Sequence, residues 1–218
     1  MQDADWERLR MEMVLHQIRR RGVSDARVLG ALERVPRERF VPARVRARAY
    51  TDHALPIGCG QTISQPFMVA VMTEALRLRP VDRVLEVGTG SGYQAAVLAR
   101  LAAEVCTIER LADLADRARR LLDELGYGDV RVRVGDGCAG WPERAPFDAI
   151  LVAAGAPSPP PSLVEQLAPD GGRLVAPVGD RDLQSLVVVE RSGNAFTTTR
   201  LMACRFVPLV GEQGWSPQ

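Results

Sequence analysis

From residue 83 onward, short apolar runs alternate with helical patterns, and this alternation limits the possible folds more than any other feature of the chain. The apolar runs are RVLEVG, EVCTIE, VRVRVGDG, FDAILVAA and GRLVAPVG, and helical patterns cover 93–102, 111–125 and 161–167. Successive parallel strands need crossover connections, which helices normally supply. We therefore predict an α/β fold with a mostly parallel sheet and helices on both faces.

The segments on either side of this region follow other patterns. After Gly179, two β-rich runs separated by SGN predict an antiparallel hairpin at the edge of the sheet. Before residue 80, a helical pattern spans 5–21, and Ser24 is the predicted N-cap of a second helix. Pro66 suits the first position of a third helix. The chain is thus predicted to begin with a helical extension.

Composition argues against several classes of partner. The 218 residues carry a formal net charge of +1, which gives no reason to expect nucleic acid or an anionic membrane. With two histidines and four widely spaced cysteines, we predict no metal site, and the thiols suit a reducing compartment. The polar N-terminus is unlike a signal peptide, and no apolar run reaches the ~20 residues of a membrane span. We expect a cytoplasmic protein.

A glycine-rich loop, VLEVGTGSGY, follows the first strand of the alternating region and precedes a helix. Gly88, Gly90 and Gly92 would let the backbone turn tightly and approach a ligand closely. The dinucleotide-binding form requires a further glycine three residues after Gly90, and Tyr93 occupies that position. The loop alone is weak evidence for a nucleotide site.

Acidic residues near successive strand ends strengthen that evidence. Glu86 precedes the glycine loop, Glu109 ends the second strand and Asp136 follows the third. A carboxylate at Glu109 can accept both hydroxyls of a ribose, and one at Asp136 can meet an adenine amino group. Each acid alone is more simply a solvated strand end, but the combination points to a nucleoside. No pyrophosphate-type glycine spacing or P-loop lysine is present, so S-adenosylmethionine is the predicted ligand.

The stretch ALPIGCGQTISQP, residues 54–66, is uncharged in a chain of which 25% is charged. We predict that it forms a loop before the third helix. This stretch, with AYTDH before it and VLEVGTGSGY, IER, VGDG, APFDAI and FVPLVG after it, resembles the protein-L-isoaspartate (D-aspartate) O-methyltransferase family from about residue 10 to 215. PIGxGQTISQP is its most specific part.

The resemblance implies a Rossmann-like class I methyltransferase that uses S-adenosylmethionine. It also implies a repair activity, in which a methyl group is transferred to the free carboxylate of L-isoaspartyl residues in age-damaged proteins and peptides. Acceptance of D-aspartyl residues stays open. We expect a single domain over 1–218, with N-terminal helices and a loop (1–80), a cofactor-binding core (81–180) and a β hairpin and tail (181–218). We expect it to act as a monomer.

Carried over by position, the resemblance places the active-site serine on Ser64. Pro56, Ile57 and Ser64 are the predicted substrate contacts. The predicted cofactor contacts are Gln61, Thr62, Ile63, Ser64, Val69, Glu86, Gly88, Gly90, Glu109, Asp136, Gly137, Val210 and Gln213. The substrate cleft should lie between residues 54–66 and 206–212.

The uncharged stretch suits this chemistry. A carboxylate with a pKa of about 3.5–4 is already ionised at pH 7 and needs no general base. It needs positioning, and a close arginine would stabilise the ground state about as much as the transition state. Ser64 could instead be a helix-capping residue. Cys59 and Ala153 differ from the family pattern, and 157–161 is an unusual proline run; we expect no metal and no covalent step.

Two other functions stay open at this point. One is a methyltransferase of the same fold that acts on another carboxylate, such as an aspartate of a peptide natural product. The other is a non-catalytic adaptor that binds S-adenosylmethionine and isoaspartyl sites without turnover.

Overall fold

The computed structural model describes residues 3–216. Its central sheet has seven strands: β3 (Arg83–Val87), β4 (Glu104–Glu109), β5 (Arg131–Val134), β6 (Ala149–Val152), β7 (Asp170–Gly179), β8 (Gln184–Ser192) and β9 (Ala195–Cys204). They lie in the order β5-β4-β3-β6-β7-β8-β9. The first five strands in that order are parallel, and β8 and β9 pair antiparallel. The predicted parallel sheet with an antiparallel hairpin at one edge is confirmed.

Residues 3–216 contain six α-helices: α1 (Asp3–Glu12), α2 (Ala26–Arg34), α3 (Pro66–Ala75), α4 (Tyr93–Ala99), α5 (Ala112–Glu124) and α6 (Pro161–Glu165). Side chains alternate along β3, so Val84 joins one buried cluster and Leu85 the other. The cluster around Val84 contains the helical extension, α3, α4 and α5. The opposite cluster is covered by α6 and short 3₁₀ turns. Helices thus lie on both faces, but the two layers are unequal.

The first predicted helix is helical throughout but changes type along its length. After α1, residues Met13–Ile18 form a π-helix and Arg19–Arg21 a 3₁₀ turn, which ends at Gly22 with φ of +103°. The predicted N-cap of α2 was wrong by one residue. Asp25 is the cap, because its carboxylate accepts the backbone N–H groups of the first turn, whereas the Ser24 N–H donates to Glu74 at 2.7 Å.

The predicted loop at 54–66 is wrong, because this stretch forms a small β-hairpin. Strands β1 (Leu55–Gly58) and β2 (Gln61–Ile63) pair antiparallel. Cys59 and Gly60 make the turn with φ of +52° and +70°, the positive pair that a tight hairpin turn requires. Leu55, Ile57 and Ile63 are buried and hold the hairpin against the core. The uncharged side chains after the turn therefore have a fixed backbone.

Among residues 3–216, the helices include none that is long and apolar enough to cross a membrane.

Candidate active site

A cleft of about 950 Å³, including its open mouth, lies at the carboxyl ends of β3, β4 and β6. Ligands of open α/β sheets bind at this edge. Segments from the hairpin and from 207–210 close the cleft on its other sides. Eleven of the predicted cofactor residues line it: Gln61, Thr62, Ile63, Ser64, Val69, Glu86, Gly88, Gly90, Glu109, Gly137 and Val210.

The glycine loop is held tightly between β3, β4 and α4. The Gly88 N–H donates to the Ile108 carbonyl at 2.8 Å, and the Gly92 N–H donates to the Thr89 carbonyl at 2.8 Å. Gly88, Gly90 and Gly92 all have positive φ, and a Cβ at Gly92 would lie 3.3 Å from a Leu122 side-chain carbon. The loop therefore needs glycine for its conformation and, at Gly92, for its packing.

Glu109 lies at the end of β4 with 7% of its surface exposed. One carboxylate oxygen accepts the Gly90 N–H at 2.9 Å, and the other accepts the Leu111 N–H at 3.0 Å. Each carboxylate oxygen can accept a second hydrogen bond. The residue is thus fixed at the cleft wall with capacity for two hydroxyl donors, which suits a ribose.

Glu86 is fully buried and also lines the cleft. Thr107 donates to its Oε2 at 2.5 Å, whereas Oε1 has no hydrogen-bond partner among residues 3–216. Burial raises the pKa of Glu86 to about 8, and the nearby Glu109 carboxylate adds to the increase. An orphaned acidic oxygen in a cleft fits a cationic ligand. With the ribose-compatible Glu109, this site fits S-adenosylmethionine.

The raised pKa of Glu86 predicts a pH-dependent stability. The unfolded carboxyl titrates near 4.5 and the folded one near 8, so over this range the folded state holds the extra proton. The contribution of Glu86 to the free energy of unfolding is complete below pH 4.5. As the pH rises from there towards 8, the free energy of unfolding falls by up to about 1.4 kcal/mol per pH unit. Urea unfolding of the ligand-free protein between pH 5 and 8 should show this decline, and Glu86→Gln should flatten it. An unchanged slope in the variant would contradict this assignment.

A side chain at Gly137, on the floor of the first cleft, should destabilise the fold. A Cβ at this position would lie 2.3 Å from Cγ1 of the buried Val87. Gly137→Ala should therefore lower the free energy of unfolding by about 1–3 kcal/mol. Gly135→Ala is the matched control, because a Cβ there meets nothing within 4 Å. Equal melting temperatures for the two variants would show that the cleft floor is not tightly packed.

Ser64 lies where this cleft meets a second, more open one, since it lines both. The second cleft runs between the hairpin end and residues 202–208. The Ser64 hydroxyl makes no hydrogen bond to any residue from 3 to 216. Gln65 is the N-cap of α3, and no side chain caps this helix. The capping interpretation of Ser64 is therefore not supported, and its hydroxyl is free to bind a ligand.

Arg37 lines neither cleft but supports the backbone of Ser64, a role that the sequence did not reveal. It is fully buried, and its guanidinium donates to the Ala49 carbonyl at 2.8 Å and to the Ser64 carbonyl at 2.7 Å. It also lies 4.9 Å from the ring centre of Tyr93, which lines the first cleft. In a chain with 28 basic residues, nothing in the sequence distinguishes Arg37 from the exposed arginines.

Other lining residues were also missed. Thr89, Ser91 and Gln94 belong to the glycine loop and α4, and Leu111 follows Glu109. These residues are close in sequence to Gly88 and Glu109, and this closeness could have identified them as cleft residues.

Asp136 does not line either cleft. Its Oδ1 accepts the Cys138 N–H at 2.8 Å and its Oδ2 accepts the Glu212 N–H at 2.9 Å. A Cβ at Gly211 would lie 2.1 Å from the same carboxylate. In this geometry Asp136 fixes the C-terminal segment, and its contact with an adenine stays a prediction.

Three further predicted contacts lie outside both clefts. The Gln213 side chain bonds to Ser162, accepting from its N–H at 3.1 Å and donating to its hydroxyl at 2.7 Å. Pro56 is exposed, and Ile57 is buried against the glycine loop. Within the hairpin only residues of the second strand line the clefts, so substrate contact by Pro56 and Ile57 stays a prediction.

Comparisons with known proteins point to one family. The family model described as protein-L-isoaspartate (D-aspartate) O-methyltransferase matches residues 9–214. A protein-L-isoaspartate O-methyltransferase of Koribacter versatilis is 55% identical over 208 residues, which are 95% of this chain and 93% of the relative. One from Roseiflexus castenholzii is 57% identical over 199 residues, 91% of each chain.

Two solved structures with similar folds are described as members of the same family. A protein-L-isoaspartate O-methyltransferase structure superposes with a TM-score of 0.84 at 29% identity, covering 94% of this chain and 67% of the other. A Plasmodium falciparum structure described as a member of the same enzyme class, in complex with S-adenosyl-L-homocysteine, gives a TM-score of 0.80 at 26% identity, covering 92% and 98%.

Proposed function

The chain belongs to the protein-L-isoaspartate (D-aspartate) O-methyltransferase family, and we infer that Ser64 binds the substrate carboxylate at the junction of its two clefts. The protein is an S-adenosylmethionine-dependent enzyme that methylates L-isoaspartyl residues of proteins. The observation that carries the residue assignment is the Ser64 hydroxyl, which lines both clefts and has no partner within residues 3–216.

The first cleft would hold the cofactor through its own fixed groups. S-adenosylmethionine supplies an electrophilic methyl group on a sulfonium cation. Glu109 would accept the ribose hydroxyls while its two backbone bonds keep it in place. The free Oε1 of Glu86 would face a cationic group of the cofactor, its ammonium or its sulfonium, and a cation there favours the ionised carboxylate. Gly88 and Gly90 would present backbone to the ligand, and Gly137 lines the same cleft.

The second cleft would deliver the substrate. An isoaspartyl carboxylate is ionised at neutral pH, so no residue has to remove a proton. Ser64, Thr62 and Gln61 offer hydroxyl and amide donors that position the anion without neutralising it. The buried Arg37 charge bonds to the Ser64 carbonyl and holds the backbone that carries the serine.

Three broader proposals complete the function. We propose that residues 1–80, 81–180 and 181–218 work as a single domain, which the buried cluster shared by the helical extension and the sheet supports. We propose a monomer, since one chain supplies both clefts. We propose a cytoplasmic location, which the four free cysteines support.

The direct test compares two synthetic peptides that differ only in an isoaspartyl or an aspartyl residue. Transfer of a radiolabelled methyl group from S-adenosylmethionine is expected to the isoaspartyl peptide alone. Transfer to both would favour a broader carboxyl methyltransferase. Binding of the isoaspartyl peptide without transfer would favour an adaptor, and either result would contradict the proposed function.

Because Arg37 holds the backbone of Ser64, replacing it should lower turnover. Arg37→Lys cannot reach both carbonyls, and bonds to charged donors contribute about 1.5–3 kcal/mol each. The turnover number should fall about tenfold, whereas the dissociation constant for S-adenosylmethionine should change less than about twofold. Arg27→Lys is the matched control, because Arg27 also bridges two carbonyls, those of Leu78 and Leu101, each at 2.6 Å. Equal loss of turnover in both variants would mean that Arg37 only stabilises the fold.

A further inference from the structure

The second cleft carries an excess of positive charge. Three arginines line it, Arg21, Arg181 and Arg205, together with His53. Among residues 3–216, Asp52 is the single carboxylate that lines it. The chain as a whole is nearly neutral, with a formal charge of +1, so this concentration of guanidinium groups is local.

The three arginines differ in how strongly a nearby carboxylate offsets their positive charge. Arg21 donates to Asp52 at 2.7 Å, and its guanidinium carbon lies 3.5 Å from the ring centre of Phe67. The Asp52 carboxylate offsets the charge of Arg21, so Arg21 adds little net charge to the cleft.

The positive charges of Arg181 and Arg205 are not offset by a strong ion pair. The Arg181 guanidinium lies 4.9 Å from the Trp215 ring centre and donates to the Ser216 carbonyl at 3.3 Å, and it pairs with no carboxylate among residues 3–216. Arg205 lies 3.7 Å from Asp182, and both side chains are exposed, at 77% and 92%. An ion pair this long and exposed is weak.

These charges lie on a surface continuous with Ser64. The second cleft shares Thr62, Ser64, Ala153, Val207 and Pro208 with the first. A peptide that places its isoaspartyl carboxylate at Ser64 must run its neighbouring residues through the second cleft. Those neighbours would meet Arg181 and Arg205, whereas the reacting carboxylate would meet uncharged donors.

We propose that Arg181 and Arg205 make this enzyme selective for isoaspartyl sites flanked by acidic residues. The proposal rests on the proposed function and specifies its substrate class. Opposite charges at the rim of a binding site mainly speed encounter and weaken with salt. Acidic flanks should therefore raise kcat/KM about threefold to tenfold at low salt, chiefly through KM.

The test uses isoaspartyl peptides of one sequence whose two flanking residues are Glu, Gln or Lys. At about 20 mM salt, where screening is weak, the expected order of kcat/KM is Glu over Gln over Lys. At about 500 mM salt the three values should converge. No methylation of the Gln peptide would refute the proposed function itself. Equal use of all three peptides at low salt would refute only the charge selectivity.

Variants assign the effect to individual residues. Arg205→Gln and Arg181→Gln should each lower the ratio of kcat/KM between the Glu and Gln peptides. Asp182→Asn should raise that ratio by releasing Arg205, a gain that partial unfolding cannot imitate. Arg120→Gln, on the exposed side of α5, changes the net charge equally and should leave the ratio as in the wild type. An unchanged ratio in the Arg181, Arg205 and Asp182 variants would overturn the proposal.

Discussion

Replacing Ser64 with alanine should lower the turnover number about 10- to 100-fold, while the dissociation constant for S-adenosylmethionine changes less than about twofold. The reason is the position of the Ser64 hydroxyl, which lines both clefts and is free of protein partners among residues 3–216. Its removal takes a donor from the substrate carboxylate but leaves Glu86 and Glu109 intact. Single-turnover methyl transfer at saturating cofactor measures this loss.

Two further measurements separate catalysis from folding in this variant. Ser64→Ala should melt within about 2 °C of the wild type, because no side chain caps α3 and no cap is lost. Ser64→Thr restores a hydroxyl and should recover part of the turnover. Unchanged turnover in Ser64→Ala would show that the hydroxyl does not act on the substrate.

Replacing Glu109 with glutamine should weaken S-adenosylmethionine binding by about 100-fold or more. Both Glu109 oxygens accept backbone N–H groups, from Gly90 and Leu111. An amide turns one of these acceptors into a donor that faces an N–H group, so the glycine loop loses an anchor. It also removes the charge that would bind two ribose hydroxyls. Isothermal titration calorimetry measures the change in affinity.

The matched control for Glu109 is Glu104, at the other end of β4. Its carboxylate pairs with Arg83, Arg131 and Arg144 at 2.9–3.2 Å, and these pairs hold its pKa below the ordinary value. Glu104→Gln should affect stability, but the affinity for S-adenosylmethionine should stay within about twofold of the wild type. Equal loss of affinity in both variants would mean that the cleft depends on β4 as a whole.

The parallel core was predictable because local sequence determines it. The run from Arg83 to Val87, the glycine loop and Glu109 are close in sequence or occupy equivalent strand ends, so their meeting follows from topology alone. Glu86, Gly88, Gly90 and Glu109 line the first cleft for this reason, whereas the other seven predicted cofactor residues in its lining were placed there by the family resemblance.

The remaining features depend on contacts between distant segments. The hairpin of β1 and β2 was missed because two prolines and two glycines obscured the alternation of Leu55 and Ile57. The role of Asp136 in fixing the C-terminal segment could not be predicted, because the Glu212 N–H that its carboxylate accepts lies 76 residues away in sequence. Arg37 could not be recognised because its burial depends on Ala49 and Ser64.

The central claim is that uncharged donors around Ser64 hold an ionised carboxylate beside a cofactor that Glu109 binds. A crystal structure with S-adenosyl-L-homocysteine and an isoaspartyl peptide tests it most directly. We predict the Ser64 Oγ within about 3.2 Å of the isoaspartyl carboxylate and both Glu109 oxygens on the ribose. A carboxylate held by an arginine instead, with the Ser64 hydroxyl turned away from it, would contradict the account.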